Sequence, residues 1–124
     1  MKKTIMLFAG TTEGRRICEF LAVKKCITHV YVTTEYGKEL LPEQNNVHIH
    51  VGKMDEKQMS DEISVIHPDI VIDATHPYAT QVTHNIKEAC DSRHIFYVRV
   101  LREENTEKAG NNAVSYTHLT LPTI

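Results

Sequence analysis

The chain has 124 residues, enough for one domain that buries roughly two-thirds of its unfolded surface. Sixteen acidic residues against fourteen basic ones leave a net charge of −2 with no basic block, which argues against a nucleic-acid or membrane-surface partner. Apolar stretches reach only about five or six residues, far short of a membrane span. Gly10-Thr11-Thr12-Glu13 breaks the N-terminal apolar run too early for a cleavable signal, so a cytoplasmic location is expected. Cys18, Cys26 and Cys90 are scattered and odd in number, as suits reduced, packed thiols.

Along the chain the apolar period alternates between strand-like and helix-like. Thr4 to Phe8 is a continuous apolar run, as in a strand buried on both faces. Ile17, Phe20 and Leu21 then predict a helix from about Gly14 to Lys24. His29 to Thr33 is a second strand, followed by a short helix over Glu35 to Leu41, and Val47 to Val51 is a third strand. Met59, Ile63 and Ile66 mark one face of a helix from about Asp55 to His67, closed by Pro68. Ile70 to Ile72 forms the next strand, ending on Asp73. Val82, Ile86, Ala89 and Cys90 define a helix from about Ala79 to Ser92, and Ile95 to Val98 a fifth strand. This order predicts a doubly wound, Rossmann-like α/β domain: a parallel sheet of about five strands with helices on both faces.

The strongest motif is Gly10-Thr11-Thr12-Glu13-Gly14-Arg15, between the first strand and the first helix. A diphosphate needs backbone N–H donors and the positive end of a helix dipole, approached without side-chain obstruction. Gly10 would permit the tight exit from the strand, and Gly14 a close approach to the phosphates. Thr11 and Thr12 would add hydroxyl donors, and Arg15 would pair with a phosphate or lie along the helix. Thr stands where the full G-x-G-x-x-G has its middle glycine, so a plain structural turn is the alternative. Asp73-Ala74-Thr75-His76-Pro77-Tyr78-Ala79 ends the fourth strand at the same sheet edge. His76 there would donate a hydrogen bond or a proton; alternatively Asp73 and Thr75 merely cap the next helix. After strand two, Glu35 either holds ribose hydroxyls or starts the short helix, while Thr33 and Thr34 would equally receive a 2′-phosphate. The loop from Gly52 to Asp55 is a weaker candidate, with Asp55 read as a helix N-cap by residue type.

Two other chemistries find no support. His48 and His50 share a strand face, but no third ligand is near in sequence, so no metal site is expected. No nucleophile elbow accompanies any Ser or Cys. A non-catalytic nucleotide-sensing domain would fit the glycine turn equally well. A short-chain sugar epimerase would need a Tyr-x-x-x-Lys pair that the sequence lacks.

The last part of the chain breaks the pattern. Arg102 to Asn112 is polar and reads as a linker, so the domain is set at 1–102 and the linker at 103–114. Residues 115–124 resemble the translation of sequencing-adapter DNA more closely than a selected strand. They are expected to be foreign and outside the fold, with the native sequence continuing past about Val114.

The glycine turn, Thr34-Glu35-Tyr36-Gly37 and Asp73 to Ala79, with Val51 to Asp55 and Tyr97-Val98-Arg99, resemble the precorrin-6A reductases over about residues 3 to 102. The resemblance implies an enzyme of cobalamin biosynthesis. Such an enzyme uses NADPH or NADH to reduce one double bond of a corrin-precursor macrocycle, precorrin-6A or its cobalt form, giving the 6B product. It implies two similar α/β domains with cofactor and substrate between them, the second lying C-terminal to this sequence, so that this length alone is not expected to turn over substrate. It places Gly10, Thr11, Thr12, Glu13, Gly14, Arg15 and Gly52 with the cofactor, and Thr34, Glu35 and Tyr36 near the adenosine ribose. His76 and Tyr78 come near the nicotinamide or macrocycle, as the catalytic candidates. Ala9 departs from the family, which often has glycine there.

Overall fold

The computed structural model describes residues 2–102 and 114–120. Its elements run β1 (Lys3–Phe8), α1 (Thr12–Ala22), β2 (Cys26–Val32), α2 (Glu35–Glu39) and β3 (Val47–Val51). There follow α3 (Glu56–Ile66), β4 (Ile70–Asp73), α4 (Thr80–Arg93), β5 (Phe96–Arg102) and β6 (Val114–Thr120). One sheet takes the order β3-β2-β1-β4-β5-β6, with the first five strands parallel. The Rossmann-like doubly wound class expected from the alternating pattern is therefore present.

Strand alternation sorts the core into two layers. Leu7, Val30 and Val32 face Cys18 and Ala22 of α1. Met6, Phe8, Val71 and Tyr97 face Met59 and Ile63 of α3 and Ile86 and Cys90 of α4. β1 lies between the layers, which is why its apolar run has no polar break. Burial raises the Cys18 thiol to about 11 and the Cys90 thiol to about 12, so both act as inert packing groups. Among the described residues no helix is long and apolar enough to cross a membrane.

The helix boundaries come from caps. Asp55 and Gln58 form a reciprocal capping box at the start of α3, and His67 closes it in the left-handed region with φ 53°. The structure extends β2 back to Cys26, because its pairing with β1 begins at Lys3↔Cys26. It carries β5 on from the expected end at Val98 to Arg102; the Arg99 charge within it is neutralised inside the fold, as described below.

Residues 114–120, set aside above, form β6, an antiparallel edge strand whose register pairs Val98 with Leu119 and Arg102 with Val114. Its β-branched and aromatic composition suits that place, and it occupies the edge that β5 would otherwise leave open. Residues 103–113 of the expected linker, and 121–124 of the tail, lie outside the described residues.

Candidate functional site

In an open parallel sheet the crevice forms outside the carboxyl ends of the strands, where the chain order reverses. Here that point lies between β1 and β4. A cleft of about 650 Å³ opens there, lined by Gly10, Thr11, Thr12, Glu13 and Arg15 from the β1–α1 side. Thr34 and Tyr36 line it from beyond β2, and His76 from beyond β4. The fold thus brings together eight of the site residues expected from sequence.

The β1–α1 turn is shaped by backbone. Gly10 sits at φ +125°, a conformation L side chains rarely adopt, and a Cβ there would meet nothing within 4 Å. Thr11 caps α1: its hydroxyl accepts from the Gly14 N–H at 3.0 Å and donates to the Ala74 carbonyl at 2.6 Å. Its one O–H proton therefore ties the turn to the end of β4. The Arg15 N–H returns to the Thr11 carbonyl. Among the described residues, the Thr12 N–H is left with no protein acceptor. The Arg15 Nε is likewise buried without a hydrogen-bond partner.

Gly14 works differently from expectation. A Cβ on it would stand 2.8 Å from the Ala9 Cβ and 2.9 Å from its Cα, so glycine here allows α1 to lie close on β1. That is the packing role of the last glycine in a G-x-G-x-x-G turn.

The β4–α4 turn is shaped by side chains. Asp73 is fully buried, and its Oδ1 accepts from the Thr75 N–H at 3.1 Å, the Thr75 hydroxyl at 2.7 Å and Arg99 Nη1 at 3.0 Å. Its Oδ2 accepts from the Tyr97 hydroxyl at 2.7 Å. Burial, followed by the Asp73 charge and hydrogen bond, pushes the Tyr97 phenol far above its ordinary range, so it remains a donor. α4 starts after Ala79 with no side-chain cap, so Asp73 and Thr75 do not cap it. His76 is exposed; its Nδ1 accepts from the Tyr78 N–H at 3.1 Å, which leaves Nε2 as the proton-bearing nitrogen of the neutral ring.

Four expected residues stand outside the cleft lining. Gly14 is packed beneath α1, and Glu35 is the exposed first residue of α2, capped by Thr34. Gly52 follows β3 at φ +137°. Tyr78 is 78% exposed, its ring tilted against His76 at 5.2 Å. The apolar lining from Val32, Leu40 and Leu41 was not foreseen. Its only signal was the paired leucines closing α2. The three histidines His29, His48 and His50 cluster across β2 and β3, with His29 Nδ1 3.0 Å from His50 Nε2. Even so, no group among the described residues could hold a metal ion.

Strand order, glycine turn and cleft together define a Rossmann-like α/β domain with a crevice at its switch point. The structures it resembles share this fold. A precorrin-6A reductase, CobK, superposes with a TM-score of 0.73 at 24% identity, over 88% of this chain and 43% of that one. The Bordetella bronchiseptica enzyme WbmH, solved in complex with NAD+, superposes at 0.67 with 18% identity, over 79% of this chain and 38% of that one. The model of the precorrin-6x reductase CbiJ/CobK family matches residues 4–120, and the chain belongs to that family. The cobalt-precorrin-6A reductase of Methanothermobacter thermautotrophicus is 32% identical over 104 residues, 83% of this chain. The chain spans 34% of that relative's length.

Proposed function

We propose that this chain is the nucleotide-binding part of an NAD(P)H-dependent reductase that converts precorrin-6A, or its cobalt form, to the 6B product by saturating one double bond. The observation that carries this is the glycine turn on the family-matched β1–α1 unit, opening on a cleft that reaches His76.

The residues fit a dinucleotide. Gly10 leaves open space where a side chain would obstruct the diphosphate, and the Thr12 N–H and Arg15 Nε are donors without partners among the described residues. Thr34, Tyr36, Leu40 and Leu41 offer an amphipathic wall for the adenosine end. When bound, the reduced nicotinamide supplies the hydride for the macrocycle. His76, through its Nε2 N–H, orients the reacting groups, and the accompanying proton comes from water or the neighbouring Tyr78 phenol. A Glu35 carboxylate pointing inward would repel a 2′-phosphate; it is exposed and not part of the cleft wall, and the proposal takes either NADPH or NADH as cofactor.

Isothermal titration of this chain with NADPH and NADH should show micromolar binding, about −8 kcal/mol. No heat with either at millimolar concentration would refute the proposal. In a chain of the relatives' full length, His76→Ala should slow single-turnover oxidation of the cofactor by the macrocycle roughly tenfold to a thousandfold. Equal rates would remove His76 from the site.

A further inference from the structure

We propose that Arg99 is the positioning residue of the β4–α4 turn: its guanidinium gathers the carbonyls of Asp73, Thr75 and His76 and so presents the His76 ring to the cleft. Arg99 is 7% exposed in the middle of β5, and a buried cation there needs only one counter-charge, which Asp73 supplies. Its remaining donors go elsewhere. Nη1 reaches the carbonyl oxygens of Thr75 at 2.9 Å and Asp73 at 3.3 Å and the Thr75 hydroxyl at 3.2 Å; Nη2 reaches the His76 carbonyl at 3.3 Å.

A planar fan of N–H groups can collect carbonyls from successive residues of one turn; a lysine ammonium on a flexible stem cannot match it. The rest of the turn is held by Asp73 Oδ1 on Thr75, by the Thr11 hydroxyl on the Ala74 carbonyl and by the Tyr78 N–H on His76 Nδ1. The His76 carbonyl also accepts from the Ala79 N–H at 2.9 Å, Pro77 fixes one torsion, and α4 lacks a side-chain cap. Tyr97 completes the device from the far side by engaging Asp73 Oδ2, which turns Oδ1 toward both Thr75 and Arg99.

The inference rests on the proposed dinucleotide site only for its ligand arm. The first measurement is amide hydrogen exchange on this chain, wild type against Arg99→Lys. An Asp73→Asn/Arg99→Met double variant serves as a charge-neutral substitute if Arg99→Lys does not fold. Exchange of the Tyr78 and Ala79 amides, both bonded to His76, should quicken tenfold or more while β1 and β2 amides stay protected. Unchanged Tyr78 and Ala79 exchange in a folded variant overturns the proposal. The second compares NADPH with ADP-ribose, which lacks the nicotinamide. Arg99→Lys should weaken NADPH roughly tenfold and leave ADP-ribose unaltered; equal losses for the two would overturn it. If the wild type binds neither probe, the nucleotide proposal fails, and the exchange comparison still decides for or against Arg99.

Discussion

The β1–α1 turn holds its shape with backbone, the β4–α4 turn with buried side chains, although the two meet at one cleft. The first uses a glycine at φ +125°, a helix start and one threonine hydroxyl. The second uses an aspartate with no solvent exposure and an arginine 26 residues further on. A backbone-shaped turn leaves its amides free to face a ligand. A side-chain-shaped turn spends its polar groups on itself and offers only what projects beyond the network, here His76.

The largest test of this contrast is Asp73→Ala. It leaves Arg99 buried without its counter-charge and should cost about 3–5 kcal/mol in urea denaturation. A loss under about 1 kcal/mol would mean the β4–α4 turn does not depend on that side chain. Next comes Gly14→Val, which crowds Ala9 and should cost about 1–3 kcal/mol. Adding Ala9→Gly should recover part of that loss, and a strictly additive double variant would rule out the contact as the cause. Gly10→Ala should cost about 1 kcal/mol for backbone strain alone, since its Cβ would meet no neighbour. A larger loss would imply that the turn is held by packing after all.

The smallest effect lies away from both turns. Burial, then His50 and His48, lower the His29 pKa, against a weaker opposing pull from Glu62. The Tyr31 hydroxyl faces the same group through its bond to Glu62. A histidine whose pKa is lowered by folding takes up its proton more readily in the unfolded chain. Its contribution is therefore present above the ordinary histidine pKa and lost as pH falls from about 7 toward 5. Urea midpoints should fall over that window, and His29→Gln should flatten the slope; an identical slope would remove His29 from the effect.

The same contrast explains what could be read from the sequence. The β1–α1 turn is local: glycine, threonine and the following apolar period stand side by side, so strand, turn and helix were all visible. The side-chain network was not, because Asp73 and Arg99 meet only once β4 and β5 pair. Gly14 was seen as a glycine of the turn, but only the packed distance to Ala9 shows which surface it spares. Glu35 sat near the right spacing for a ribose contact, yet α2 begins there and takes its side chain outside the cleft. β6 was missed because sequence composition had to compete with a resemblance to foreign DNA.

The sheet order also governs how the chain reaches this state. β1 is made first but sits centrally, and its β4-side contacts join residues 65 positions apart, as in the bond from the Thr4 N–H to Asp69. Closing so long a loop precedes the gain from pairing, which slows folding relative to helix-rich domains of this size. Until β4 is synthesised, the Ile5–Phe8 edge has no partner on that side, and its bare backbone N–H and C=O groups can pair with other chains. Ribosome-bound chains released before Asp73 should therefore aggregate, and those extended through β5 should not.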